Sequence, residues 1–216
     1  ESISVTGNVT VTDNITFFFV GAGRLSVTSS ATLTLDSPGQ LIATATQHVL
    51  DGTNGTITFT KAGVVSPYWF GALGDGSTND GPALLKMVTA CPSKSIYRFV
   101  PGTYKCNAQL PITVDDITVY LDGATLDLST IAGSGTANVH ASVDVLAAFK
   151  VTGDRFTLMG GRITGAASVG GKNIVGVLCD GNDYTRIIRT KADTLYCGFW
   201  AGNNATNWTL DNVEAA

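Results

Sequence analysis

The sequence predicts an all-β fold, a solenoid of stacked coils interrupted by one short helix, and three observations carry that prediction. Short stretches of alternating apolar residues and threonine recur along the chain. A single helical pattern stands among them. Turn sequences then return at an irregular spacing of 20 to 40 residues, the mark of coils stacked along one axis.

From Ile3 to Thr60 the strand patterns are I-S-V-T, V-T-V-T, I-T-F-F-F-V, L-S-V-T, L-T-L, Q-L-I-A-T-A-T and T-I-T-F-T, separated by small polar turns. Alternation puts one row of side chains inward and a hydroxyl row outward, so residues 1–65 read as a β-rich N-terminal segment without helix. The helix is expected over Asp80 to Ala90, with Asp80 as N-cap and Pro82 in the first turn. Leu84, Leu85, Met87 and Val88 supply its apolar stripe, and Cys91-Pro92 ends it. Residues 66–110 hold this helix and the strand after it, and residues 111–216 hold the coils. There Asp154, Asn182 and Asn204 open comparable turns, at spacings of 28 and 22 residues, which suggests a ladder of stacked polar side chains.

Composition bounds the rest. With 44% hydrophobic and 14% charged residues the 216-residue chain can bury a sizeable core. A net charge of −4 and a pI near 5.0 leave no basic surface for nucleic acid or anionic lipid, so neither is expected as a partner. No apolar run approaches the ~20 residues a bilayer needs. Cys91, Cys106, Cys179 and Cys197 lack metal-site spacing and only His48 and His140 accompany them, so no metal or cofactor is expected and the thiols read as free and buried. Glu1 is not an initiator methionine, and the run N-W-T-L-D-N-V-E-A-A brings no capping element, so the chain is expected to be the N-terminal part of something longer.

The run Trp69-Phe70-Gly71-Ala72, Gly74-Asp75-Gly76, Thr78-Asn79-Asp80, the helix, then Phe99-Val100-Pro101-Gly102-Thr103-Tyr104 resembles the N-terminal signature of the pectate-lyase-like right-handed parallel β-helix superfamily, of the kind found in bacteriophage tailspikes and polysaccharide depolymerases. Asn79-Asp80 stands where the usual acidic pair does, and Gly81-Pro82 replaces the common helix start. The resemblance implies a right-handed parallel β-helix whose helix covers the solenoid's end, a place in the virion tail, and a homotrimer bound to other virion tail proteins. It also implies recognition of a bacterial capsular or O-antigen polysaccharide, with or without its cleavage. A secreted bacterial lyase or hydrolase, and a structural virion segment without a site, share the fold. Asp75 and Asp80 have sufficient structural roles, as a glycine-flanked turn residue and a helix cap.

Chemistry is therefore sought on the coils. Carboxylates one coil apart suit a retaining glycosidase pair at ~5 Å, and two coils apart an inverting pair at ~6.5–9.5 Å. Aligning Leu126-Asp127, Ile163-Thr164, Ala192-Asp193 and Val213-Glu214 makes Asp193 and Glu214 neighbours, the candidate catalytic pair, with Asp127 in the same column. Like-charge proximity would raise one pKa and set an acid beside a base. The plainer alternative is a solvated acidic edge. Tyr196, Trp200 and Trp208 are the candidate sugar platforms, Tyr184 a weaker one, and the insertions Ser129 to Ser142 and Gly165 to Lys172 the candidate rim. Arg162, Arg186, Arg189 and Lys191 offer charge for a uronate, but no cluster of three acids marks a calcium site, which ranks hydrolase above lyase.

Overall fold

A computed structural model describes residues 2–28, 30–52, 55–133, 144–202 and 204–215. The chain is a parallel β-solenoid of about 8 turns with one short α-helix. Three faces run along it. Face one stacks Val64–Val65, Ile96–Arg98, Thr118–Tyr120, Thr157–Met159, Arg186–Ile188 and Thr209–Asp211, each parallel to the next. Face two stacks Asp75–Asn79, Gly102–Lys105, Ala124–Asp127, Arg162–Thr164, Lys191–Asp193 and Glu214–Ala215. Face three comprises Leu110–Ile112, Val145–Val151, Lys172–Asp180 and Cys197–Gly202, with Ser168–Val169 folded back antiparallel onto the third of these.

Strand alternation explains the core. On face one the paired residues Tyr97, Val119, Leu158 and Ile187 form an inward column, and on face two Tyr104, Leu126, Ile163 and Ala192 form another; all eight are buried. A fully buried aliphatic side chain of this size contributes roughly 1.5–3 kcal/mol. The alternate positions, such as Thr103, Thr125, Arg162 and Lys191, are polar and face outward.

The N-terminal segment follows the same plan. Ser2–Val5, Arg24–Val27 and Leu50–Asp51 stack in one parallel sheet, Val9–Val11, Thr32–Leu35 and Thr56–Phe59 in a second, and Phe17–Phe18 with Leu41–Ile42 in a third. Its second and third sheets repeat every 24 residues, as the hydroxyl bond of 3.3 Å between Thr34 and Thr58 marks. That period is visible in V-T-V-T, A-T-L-T-L-D and G-T-I-T-F-T once the strands are known to stack.

The helix spans Gly81–Ala90 and packs on Thr56–Phe59, on the 3-10 turn Pro67–Phe70 and on Leu110–Ile112. It thus covers the start of face three while also meeting the last strand of an N-terminal sheet. The end it covers is internal. The expected cap is corrected: Asp80 is not a side-chain cap. Its buried carboxylate accepts the N–H groups of Leu73 at 2.7 Å and Gly74 at 3.1 Å, closing the glycine turn, while Asn79 Oδ1 accepts from Gly81 at 3.1 Å. Gly71 and Gly74 hold φ of 96° and 61°, conformations that cost other residues strain. Asp75 ties the same turn by accepting from the N–H groups of Ser77 and Thr78. Those bonds hold its carboxyl far below the usual range.

The turn between faces three and one does contain a polar ladder, to which Asp154 belongs and the expected Asn182 and Asn204 do not. Asp115 accepts the N–H of Asp154 at 2.9 Å, Asp154 accepts that of Asp183 at 2.8 Å, and Asp183 accepts from Asn207 Nδ2 at 2.8 Å and from the Thr206 hydroxyl. The rungs are Asp115, Asp154, Asp183 and Thr206. Each is followed by a residue at positive φ, namely Asp116, Arg155, Tyr184 and Asn207. Asn182 is instead buried and bonds Thr185.

Candidate functional site

Face two carries the expected catalytic column, and its registers are decisive. Asp127 pairs with Thr164 and Thr164 with Asp193, as the strand alignment requires. Glu214 does not join them. It pairs with Lys191, two residues short of Asp193, so the expected neighbours Asp193 and Glu214 lie in different outward rows.

Each of the three carboxylates has another engagement. Arg162 grips Asp193 with Nε at 3.1 and 2.9 Å from the two oxygens and a terminal nitrogen at 3.0 Å. This guanidinium, placed by the diagonal between adjacent rungs, holds the Asp193 carboxyl below its ordinary range against the opposing effect of burial. A general acid needs the reverse. Glu214 faces Lys191 Nζ at 3.3 Å and is well exposed, a geometry worth little energy. Asp127 Oδ1 accepts the N–H of Ser129 at 2.8 Å and shapes the exit from its strand. The acid beside a base expected at Asp193 and Glu214 is not formed, because like charges are not brought together there.

The aromatic candidates divide. Tyr196 and Trp200 stack with centroids 6.0 Å apart and ring planes 23° from parallel. Trp200 lies in one outward row with Leu178 and Lys150. Beneath Trp200, Val145, Ala147, Val175 and Leu178 form a small apolar cluster separate from the main core, with Cys197 also packed on it. Lys150 is held by Asp180 at 3.1 Å. Tyr196 follows Asp193 by three residues across the turn of Thr194, whose hydroxyl meets that of Thr164 at 2.9 Å. The corner between faces two and three thus combines a stacked aromatic pair, a guanidinium–carboxylate pair and two hydroxyls.

Trp208 is not part of it. It precedes Thr209, which pairs with Arg186, and so stands level with the buried Thr185 on the way into face one. Tyr184 occupies the ladder turn on that same side. Of the rim insertions, Gly165 to Lys172 contains the Ser168–Val169 hairpin, whereas residues 134–142 of the other and His140 lie outside the described residues. Lys150, Asp180 and Thr194 were not singled out from sequence, since only strand register brings them to this corner. All four cysteines are free, three of them buried, and burial pushes the thiols of Cys91 and Cys106 up to about 12. Among the described residues no three His, Cys, Asp or Glu side chains converge to hold a metal ion. No protein-family model, curated protein or solved structure matches the chain.

Proposed function

We propose that the chain is part of a phage tail protein, a tailspike or tail fibre, whose solenoid binds a bacterial capsular or O-antigen polysaccharide at the corner of Tyr196 and Trp200. The observation that carries this reading is the near-parallel aromatic pair held on a rigid strand ladder. A flat apolar platform fits the C–H face of a sugar ring, and the neighbouring Arg162–Asp193 pair with Thr164 and Thr194 offers donors and acceptors for ring hydroxyls. On these coils binding is better supported than cleavage, since Asp193 and Glu214 lie in different rows and Arg162 holds Asp193 as a carboxylate. Homotrimeric assembly and attachment to other tail proteins in the virion belong to the same proposal and rest on the resemblance of residues 69–104.

Retardation of the protein in gels containing purified capsular or O-antigen polysaccharides tests it. The double variant Tyr196→Ala with Trp200→Ala should weaken retention at least roughly tenfold, ~1.4 kcal/mol, while Trp208→Ala leaves it unchanged. Retention untouched by the double variant would refute the site. Release of reducing ends by this chain would instead favour a depolymerase, whether of the virion or secreted.

A further inference from the structure

The first two coils carry a second feature, unrelated to the Tyr196–Trp200 corner. The turns after Phe17–Phe18 and Leu41–Ile42 leave an open groove of about 620 Å³. Phe19 and Val20 form its apolar wall, Thr44 and Thr46 its hydroxyl side, His48 lies along it, and Arg24 supplies its one permanent charge. No Asp or Glu is among the lining residues.

The cations of this surface divide into paired and unpaired. Arg155, Arg162, Arg189, Lys61, Lys150 and Lys191 are each within 4 Å of a carboxylate. Among the described residues Arg24 makes no ion pair, and it points outward from the strand Arg24–Val27 whose Leu25 and Val27 fill the core. The polar side of the groove is pre-set. Gln47 Nε2 donates to Gly21 O at 2.7 Å across the two turns, and Trp69 Nε1 donates to Thr44 O at 3.0 Å from the next coil. His48 is packed beneath Gly71, where a Cβ would approach Nε2 to 3.2 Å, and that nitrogen is buried without a hydrogen-bond partner.

We propose that this groove binds a sugar carboxylate, a uronate-type residue, with Arg24 pairing its carboxylate, Phe19 and Val20 against the C–H face of the ring, and Thr44 and Thr46 meeting its hydroxyls. A single planar guanidinium matches a monoanionic carboxylate. A phosphate dianion is better served by a second positive charge, which the lining does not offer. The site stands independently of the proposed glycan corner, and either can fail without the other.

His48 is a built-in reporter. Its pKa is lowered by burial first and by the Arg24 charge next, with Lys86 acting in the same direction and Asp51 opposing them. An anion placed against Arg24 offsets the cation and favours the imidazolium, so binding raises the His48 midpoint and, reciprocally, strengthens as His48 protonates. Histidine signals followed by NMR against pH, with His140→Gln to assign the two, read this directly. D-glucuronate at millimolar concentration should raise the His48 midpoint by several tenths of a pH unit, while glucose and propionate do not. Arg24→Gln should raise the midpoint of the free protein and remove the response to glucuronate, with other resonances unmoved. No response to glucuronate, an equal response to propionate or glucose, or an undiminished response in Arg24→Gln would each overturn the proposal.

Discussion

Replacing Asp80 by alanine strikes the joint between the N-terminal coils and the rest. The carboxylate is buried and accepts two backbone N–H groups, at 2.7 and 3.1 Å, that no other acceptor serves. A hydrogen bond to a charged group contributes about 1.5–3 kcal/mol, and with desolvation of the carboxylate offsetting part of the two, Asp80→Ala should lose about 2–5 kcal/mol in urea unfolding. Amide exchange at Leu73 and Gly74 should accelerate with it. The pH dependence has an unusual sign. Burial raises the Asp80 pKa above its ordinary carboxylate value, with the bonds from Leu73 and Gly74 only partly offsetting it. The unfolded chain therefore ionises first, and folding is penalised as pH rises from the ordinary carboxylate pKa to the raised one. Wild type should exceed Asp80→Ala by more at acid pH than at neutrality. A loss below about 1 kcal/mol, or a gap that widens with pH, would refute the assignment of Asp80 as a buried, desolvated acceptor.

Further outcomes follow from the same geometry. Gly102→Ala places a Cβ 2.7 Å from the carbonyl oxygen of Gly74 and should destabilise by about 1–3 kcal/mol in the same unfolding assay, even though the backbone there suits alanine. Arg162→Gln removes the main cause of the lowered Asp193 pKa, so the Asp193 carboxyl midpoint, followed by NMR, should rise towards the ordinary range. Asp193 as wild type stabilises the fold above the ordinary carboxylate pKa, and that contribution fades as pH falls through its lowered one. A thiol reagent should modify the half-buried Cys197 in the native protein and reach Cys91, Cys106 and Cys179 only on unfolding, as timed modification read by mass spectrometry would show.

The scaffold was legible because its signals are local: alternation within strands, the helix stop at Pro92, and the glycine turn before Asp80. What depends on register was harder to read. Asp193 and Glu214 were misaligned by two residues, and a two-residue slip keeps every side chain on its own face, so the in-out pattern gives no warning. The polar ladder was missed by one and two residues, at Asn182 and Asn204, because asparagine and aspartate suit any turn position while only one position aims at the next coil. Asp80 satisfied the helix-cap pattern and stands at the N-cap position, yet its carboxylate goes to the glycine turn. The 24-residue period of the first coils was hidden by strands too short to stand out singly.

The rungs at Ser93, Asp115, Asp154, Asp183 and Thr206 are separated by 22, 39, 29 and 23 residues, and yet each is one step from the next. Axial height is therefore counted in coils, at about 4.8 Å each, and is indifferent to how much chain a coil spends between its strands. Peptide added at the exits from the strands changes what the surface displays and leaves the distance between groups on the ladder where it was. Such a chain can trade its outer loops freely while keeping a fixed ruler beneath them.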